Sequence, residues 1–170
     1  MIEYTDTTVF NVNAQTIVNT INCIGIMGSG IALEFKLRFP EMHEDYVKRC
    51  EKKEVKIGKP YLYRNDPNLW VMNFPTKYHW KYPSKIEWIE QGLEYFVSNY
   101  KRGGITSIAF PKLGSSHGGL DWNEVKSVME KYLKDVDIKI YICLDEKEQA
   151  LGIEKLMVDI LNNTKERGWV

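Results

Sequence analysis

Long apolar runs are absent from this chain. No stretch approaches the ~20 residues that a bilayer-spanning helix needs, and the opening MIEYTDTTVF carries no apolar signal core. Cysteine is scarce as well. Cys23, Cys50 and Cys143 are odd in number, widely spaced and without metal-ligand spacing, so neither a disulfide framework nor a zinc site is indicated. A reducing cytoplasm is the compartment that this usage predicts. An excess of charge of one sign is missing too, because 23 Lys and Arg balance 23 Asp and Glu. Without a global basic field, any grip on nucleic acid has to come from a local patch.

Two nucleotide motifs are also missing. No GxxxxGK[ST] run occurs, which removes the P-loop NTPases. No GxGxxG is followed by a suitably placed ribose-binding acid, which disfavours a Rossmann dehydrogenase.

What remains is an ordinary globular composition, 44% hydrophobic and 12% aromatic over 170 residues. Domains most often run roughly 100–150 residues, so the chain is long enough for one well-buried core and short for two. A single domain over residues 1–170 is expected, with 146–170 forming a C-terminal helix and tail. Short β-rich runs predict strands at 3–12, 16–22, 60–63, 69–74, 107–111 and 139–144, interleaved with helices in a layered α/β domain. Between residues 86 and 100, apolar side chains recur at three and four residues, an amphipathic helix ended by Arg102-Gly103-Gly104. After Trp122, the stripe Val125, Val128, Met129, Tyr132 and Leu133 predicts another helix, with Asp121 placed as its N-cap. A last helix is predicted at 146–162.

Two glycine-bearing segments follow strand-like runs and precede helices: Asn22 to Ala32, with Gly25, Gly28 and Gly30, and Gly114 to Asp121, with Gly118 and Gly119. Glycine admits close approaches that a Cβ blocks, and exposed amides at a helix start attract phosphate oxygens. Either loop alone reads as a tight connection. As a pair they form a candidate clamp for a diphosphate. A third segment, Thr76 to Lys85, interleaves Tyr78, His79, Trp80 and Tyr82 with Lys77, Lys81 and Lys85. Such a surface stacks unpaired bases while lysines follow the backbone, although Trp80 and Tyr82 could equally pack the next helix. The mixed charges of 48–59 read as an exposed helix end and loop.

The run Ile17-Val18-Asn19-Thr20-Ile21-Asn22, followed by Gly25-Ile26-Met27-Gly28-Ser29-Gly30-Ile31-Ala32, resembles the first ligand loop of the macrodomain family. Asn73-Phe74-Pro75-Thr76-Lys77, His79-Trp80 and Pro111…Gly118-Gly119-Leu120-Asp121-Trp122 narrow the resemblance to the DarG branch, over about residues 1–144. The resemblance implies a three-layer α/β/α fold with a mixed central sheet, ADP-ribose bound at the strand ends, and no metal or cofactor. It implies removal of ADP-ribose from thymidine in single-stranded DNA, with a DarT-like toxin as the partner that installs the mark. It assigns Lys77 as the catalytic amine, Asp121 as the proton shuttle and Asn22 as the residue that orients the distal ribose. Ligand contacts are implied for Thr8 and Val9 near the start, for Asn19, Thr20 and Ile21 on the second strand, and for Met27, Gly28, Gly30, Ile31, Ala32 and Leu33 in the first loop and its helix. Thr76, Pro111, Leu113, Gly114, Ser115, Ser116, His117 and Gly118 complete the set. Thr7-Thr8 stands where relatives carry a Gly-Asn pair, and Ser29 where a lysine is common.

A lysine nucleophile has to be neutral, so burial or adjacent positive charge, from Lys81 or His79, has to lower its pKa. Two other readings stay open: hydrolysis of carboxylate-linked ADP-ribose on proteins, and a non-catalytic ADP-ribose reader. Binding alone needs neither Lys77 nor Asp121.

Overall fold

The computed structural model describes residues 1–145; the helix expected at 146–162 lies outside them. Six strands form one sheet: β1 (Ile2–Thr5), β2 (Thr16–Asn22), β3 (Tyr61–Asp66), β4 (Leu69–Lys77), β5 (Ser107–Phe110) and β6 (Lys139–Cys143). Their order is β1-β6-β5-β2-β4-β3, parallel throughout except for the β3–β4 hairpin. Asp66 turns that hairpin by accepting hydrogen bonds from the N–H groups of Asn68 and Leu69 on Oδ1.

Strands buried on both faces carry near-continuous apolar runs, and β2 illustrates why. Ile17 and Ile21 face one core while Val18 faces the other. On the first side, α1 (Gly30–Arg38) and α2 (Pro40–Glu51) bring Phe35, Met42 and Tyr46 against Ile17, Val71 and Ala109. On the second side, α3 (Ile86–Gly103) and α4 (Trp122–Leu133) bring Leu93, Phe96, Val125 and Met129 against Phe74, Ile108 and Ile140. The result is the expected α/β/α sandwich around a mixed sheet. Gly92 lets α3 seat closely, since a Cβ there would stand 2.3 Å from the Phe74 ring.

Three strands differ from the sequence reading by more than one residue at an end. The strand expected over 3–12 stops at Thr5, and residues Val9–Asn11 form a 3-10 turn instead. The polar Asp6-Thr7-Thr8 run supplies the turn chemistry: Asn11 donates its backbone N–H to the Thr8 carbonyl and its side-chain amide to Thr7 Oγ1. The third strand begins at Tyr61 and runs on to Asp66. β4, expected to end at Phe74 before a Pro-Thr turn, continues through Pro75 and Thr76 to Lys77. Proline is tolerated because β3 pairs with β4 only as far as Asn73, so the outer edge at Pro75 has no strand to serve.

Candidate functional site

The parallel strands β2, β4, β5 and β6 end along one side of the sheet, and a cleft of about 500 Å³ opens there. Ligands in open α/β sheets characteristically lie at the carboxyl ends of strands. Asn22 closes β2, Lys77 closes β4, Pro111 and Lys112 follow β5, and Cys143 closes β6, and all of them line the cleft.

The two glycine loops face each other across this opening. Gly30 has φ +58°, and the His117 ring lies over it, 2.9 Å from where a Cβ would stand. In the second loop Gly114 has φ +66°, and a Cβ on Gly118 would sit 2.3 Å from the Gly114 carbonyl oxygen. Neither position accepts a side chain without displacing the loop. Ser84 staples this loop to the end of β4: its N–H donates to the Gly118 carbonyl at 2.8 Å and its hydroxyl to the Thr76 carbonyl at 2.5 Å.

Lys77 is half-buried between these parts. Its Nζ donates to the backbone carbonyls of Trp80 at 2.9 Å and His117 at 3.2 Å. Burial pulls its pKa below the ordinary lysine range. The neighbouring positive charges that the sequence offered are not the cause; the Lys81 N–H donates to His79 Nδ1 instead.

Asn22 is buried and committed to its own loop. Oδ1 accepts from the N–H groups of Ile24 and Ile26 and lies 2.8 Å from the Tyr46 hydroxyl, while Nδ2 donates to the Ile26 carbonyl at 2.7 Å. It lines the cleft with its acceptor already in use. Asp121 is exposed at the N-cap position of α4, but its side chain makes no capping hydrogen bond, and it is not among the lining residues.

Of the other sequence-predicted contacts, Thr20, Ile21, Gly28, Ile31, Ala32, Thr76, Gly114, Ser116, His117 and Gly118 line the cleft. Val9, Met27 and Leu113 are core side chains beneath it. Asn19 is buried too, donating to Asn73 Oδ1 at 3.0 Å, so its task is to join β2 to β4. Thr8 is buried, and Leu33 and Ser115 lie outside the lining. The structure adds Ile26, Ser29, Trp80, Lys112 and Cys143. Trp80 was legible as an aromatic beside Lys77; the Trp80 and Tyr82 rings, 54% and 62% exposed, meet His79 rather than α3, whereas Tyr78, 57% exposed, sets its ring edge-on to Trp88 of α3.

A mixed sheet between two helical layers, with facing glycine loops over a strand-end cleft, defines an α/β domain with a ligand-sized opening at its strand ends. The family profile for the Macro domain matches residues 18–129. The chain belongs to the macrodomain family. It is 42% identical over 162 residues to the DNA ADP-ribosyl glycohydrolase of Mycobacterium tuberculosis, covering 92% of this chain and 46% of that protein. It superposes on the macrodomain of Thermus aquaticus DarG with a TM-score of 0.80 and 36% identity, covering 84% of this chain and 97% of that one. Thermosipho africanus DarTG in complex with ADP-ribose matches with the same TM-score at 38% identity, over 84% of this chain and 41% of that one. The chain spans less than half the length of these curated glycohydrolase relatives, 35% of the one from Thermus aquaticus.

Proposed function

We propose that the chain acts as a single macrodomain that removes ADP-ribose from thymidine in single-stranded DNA, with Lys77 as the attacking amine. The observation that carries this reading is the half-buried Lys77 amine at the cleft wall, its pKa lowered by burial. Binding ADP-ribose requires no such group. In the neutral form the amine attacks the anomeric carbon, the carbon–base bond breaks with its electron pair going to the base, and the base takes a proton. Ring opening gives a Schiff base, and water then releases ADP-ribose and restores the amine. Asp121 is the proposed proton carrier and Asn22 the proposed ribose ligand.

The chain is similar to proteins named for DNA de-ADP-ribosylation, and to a DarTG protein that holds ADP-ribose. A DarT-like transferase is therefore the proposed source of the mark. The test offers the purified chain a thymidine-linked ADP-ribosyl oligonucleotide and a glutamate-linked ADP-ribosyl peptide side by side, following free ADP-ribose. Faster release from the oligonucleotide supports the reading. Equal or faster release from the peptide replaces it with protein de-ADP-ribosylation, and release from neither leaves a reader.

A further inference from the structure

Tyr46 is fully buried on α2, yet its hydroxyl reaches the cleft wall, 2.8 Å from Oδ1 and 2.9 Å from the backbone carbonyl of Asn22. We propose that Tyr46 is a positioning residue that holds the Asn22 amide with Nδ2 toward the ligand, so that Asn22 meets the ligand as a hydrogen-bond donor only. This inference rests on the function proposed above.

The orientation of the amide follows from groups that have no choice of role. The N–H groups of Ile24 and Ile26 can only donate, so the atom facing them is the oxygen. The Ile26 carbonyl can only accept, so the atom facing it is the nitrogen. An amide nitrogen carries two hydrogens, and Ile26 takes one of them. The second is left for the cleft that Asn22 lines. The oxygen, with three donors around it, has no capacity for a ligand hydroxyl.

These backbone partners all belong to the residue 22–26 loop, where Gly25 has φ +91° and Ile24 and Ile26 are exposed. They fix the amide relative to its own loop, which the Cys23 N–H also ties to the Tyr78 carbonyl at 3.1 Å. Tyr46 is the partner on a separate, packed element, within the core that joins α2 to the sheet. Its hydroxyl meets both Asn22 oxygens, with the Cys50 side chain and the Gly25 backbone also against it, and anchors the loop to α2. Burial pushes the phenol pKa well up, so the hydroxyl stays a donor at any working pH. A bare apolar ring at this position would fill the same space and supply no anchor.

The experiment is a double-mutant cycle on the ADP-ribosylated thymidine oligonucleotide, with ADP-ribose affinity measured by calorimetry. Tyr46→Phe is expected to lower kcat roughly tenfold, the scale of one net hydrogen bond, with KM nearly unchanged. In an Asn22→Ala background the same substitution is expected to cost clearly less, because the side-chain part of its target is gone and only the backbone carbonyl of residue 22 remains. Asn22→Asp keeps the oxygen that accepts from Tyr46, Ile24 and Ile26 but turns an acceptor toward the Ile26 carbonyl and the cleft, and is expected to lose at least as much turnover as Asn22→Ala. Wild-type kcat in Tyr46→Phe, an equal loss in both backgrounds, full turnover in Asn22→Asp, or a Tyr46→Phe chain that is unfolded at assay temperature each overturn the proposal. A wild-type chain that neither binds ADP-ribose nor releases it takes down the underlying function as well, which separates the two failures.

Discussion

Lys77 donates from Nζ to the backbone carbonyl of His117 at 3.2 Å, a bond between the end of β4 and the second glycine loop, forty residues apart in sequence. The amine is thus held by a carbonyl of the glycine loop that lines the cleft. A ligand that shifts residues 114–118 also changes what Lys77 touches.

Lys77→Ala is expected to abolish turnover while ADP-ribose affinity stays within about threefold, because the amine acts on the transition state. Since the reactive form is the neutral one and burial lowers the lysine pKa, kcat/KM should rise with pH through a midpoint below the ordinary lysine range. A pH profile of wild type checks this. A rate that falls over the alkaline range, or full turnover in Lys77→Ala, counts against the amine mechanism.

Gly118→Ala tests the second loop. The new Cβ would stand 2.3 Å from a backbone oxygen, which cannot swing away as a side chain does. Overpacking of this kind typically costs about 1–3 kcal/mol, and the displaced amides should weaken ADP-ribose binding by about tenfold or more. Calorimetry on the folded variant decides. Unchanged affinity would remove this loop from the phosphate clamp.

Asp121 separates two roles that the sequence left entangled. An N-cap aspartate typically contributes about 1 kcal/mol through its side-chain oxygen, but Asp121 makes no such bond. Asp121→Ala is therefore expected to leave the melting temperature nearly unchanged while slowing turnover. A clear loss of stability with normal kinetics would reassign it to the helix.

The layered fold was legible because β2 is a short β-rich run where a strand was expected, and the α3 and α4 stripes fall where three-four spacing puts them. The cleft loops were legible through glycine, since Gly30, Gly114 and Gly118 mark places where a Cβ has no room. Other features depend on tertiary partners. Pro75 reads as a turn until β3 is seen to stop pairing at Asn73, and residues 3–12 read as one strand until Asn11 folds back on Thr7 and Thr8. The Tyr46–Asn22 contact spans α2 and β2, and neither residue type nor spacing announces it. Asn19 sits one helical-looking step from Asn22 in a matching motif, yet the strand turns it into the core toward Asn73.

Trp80 and Tyr82 carry the last prediction, which concerns what lies beyond the ADP-ribose. Both are more than half exposed, their rings each within 5.5 Å of the His79 ring, and Trp80 lines the cleft while its carbonyl holds Lys77. Large aromatics left in water at a cleft mouth offer faces for unpaired bases, each stack worth about 1–3 kcal/mol. Tyr78 is as exposed, at 57%, but its ring sits edge-on to Trp88 on α3. Tyr82→Ala, outside the cleft lining, is expected to raise KM for the ADP-ribosylated oligonucleotide roughly tenfold and to leave free ADP-ribose affinity unchanged. Adding Trp80→Ala should deepen the oligonucleotide defect further. With zero net charge the chain contacts few phosphates, so the KM should depend only weakly on salt, unlike that of a broadly basic DNA binder. Kinetics at two salt concentrations, for wild type and both variants, give the answer. A steep salt dependence, or a Tyr82→Ala chain with wild-type KM on the oligonucleotide, would show that flanking bases are not stacked here and that the strand leaves the cleft along another face.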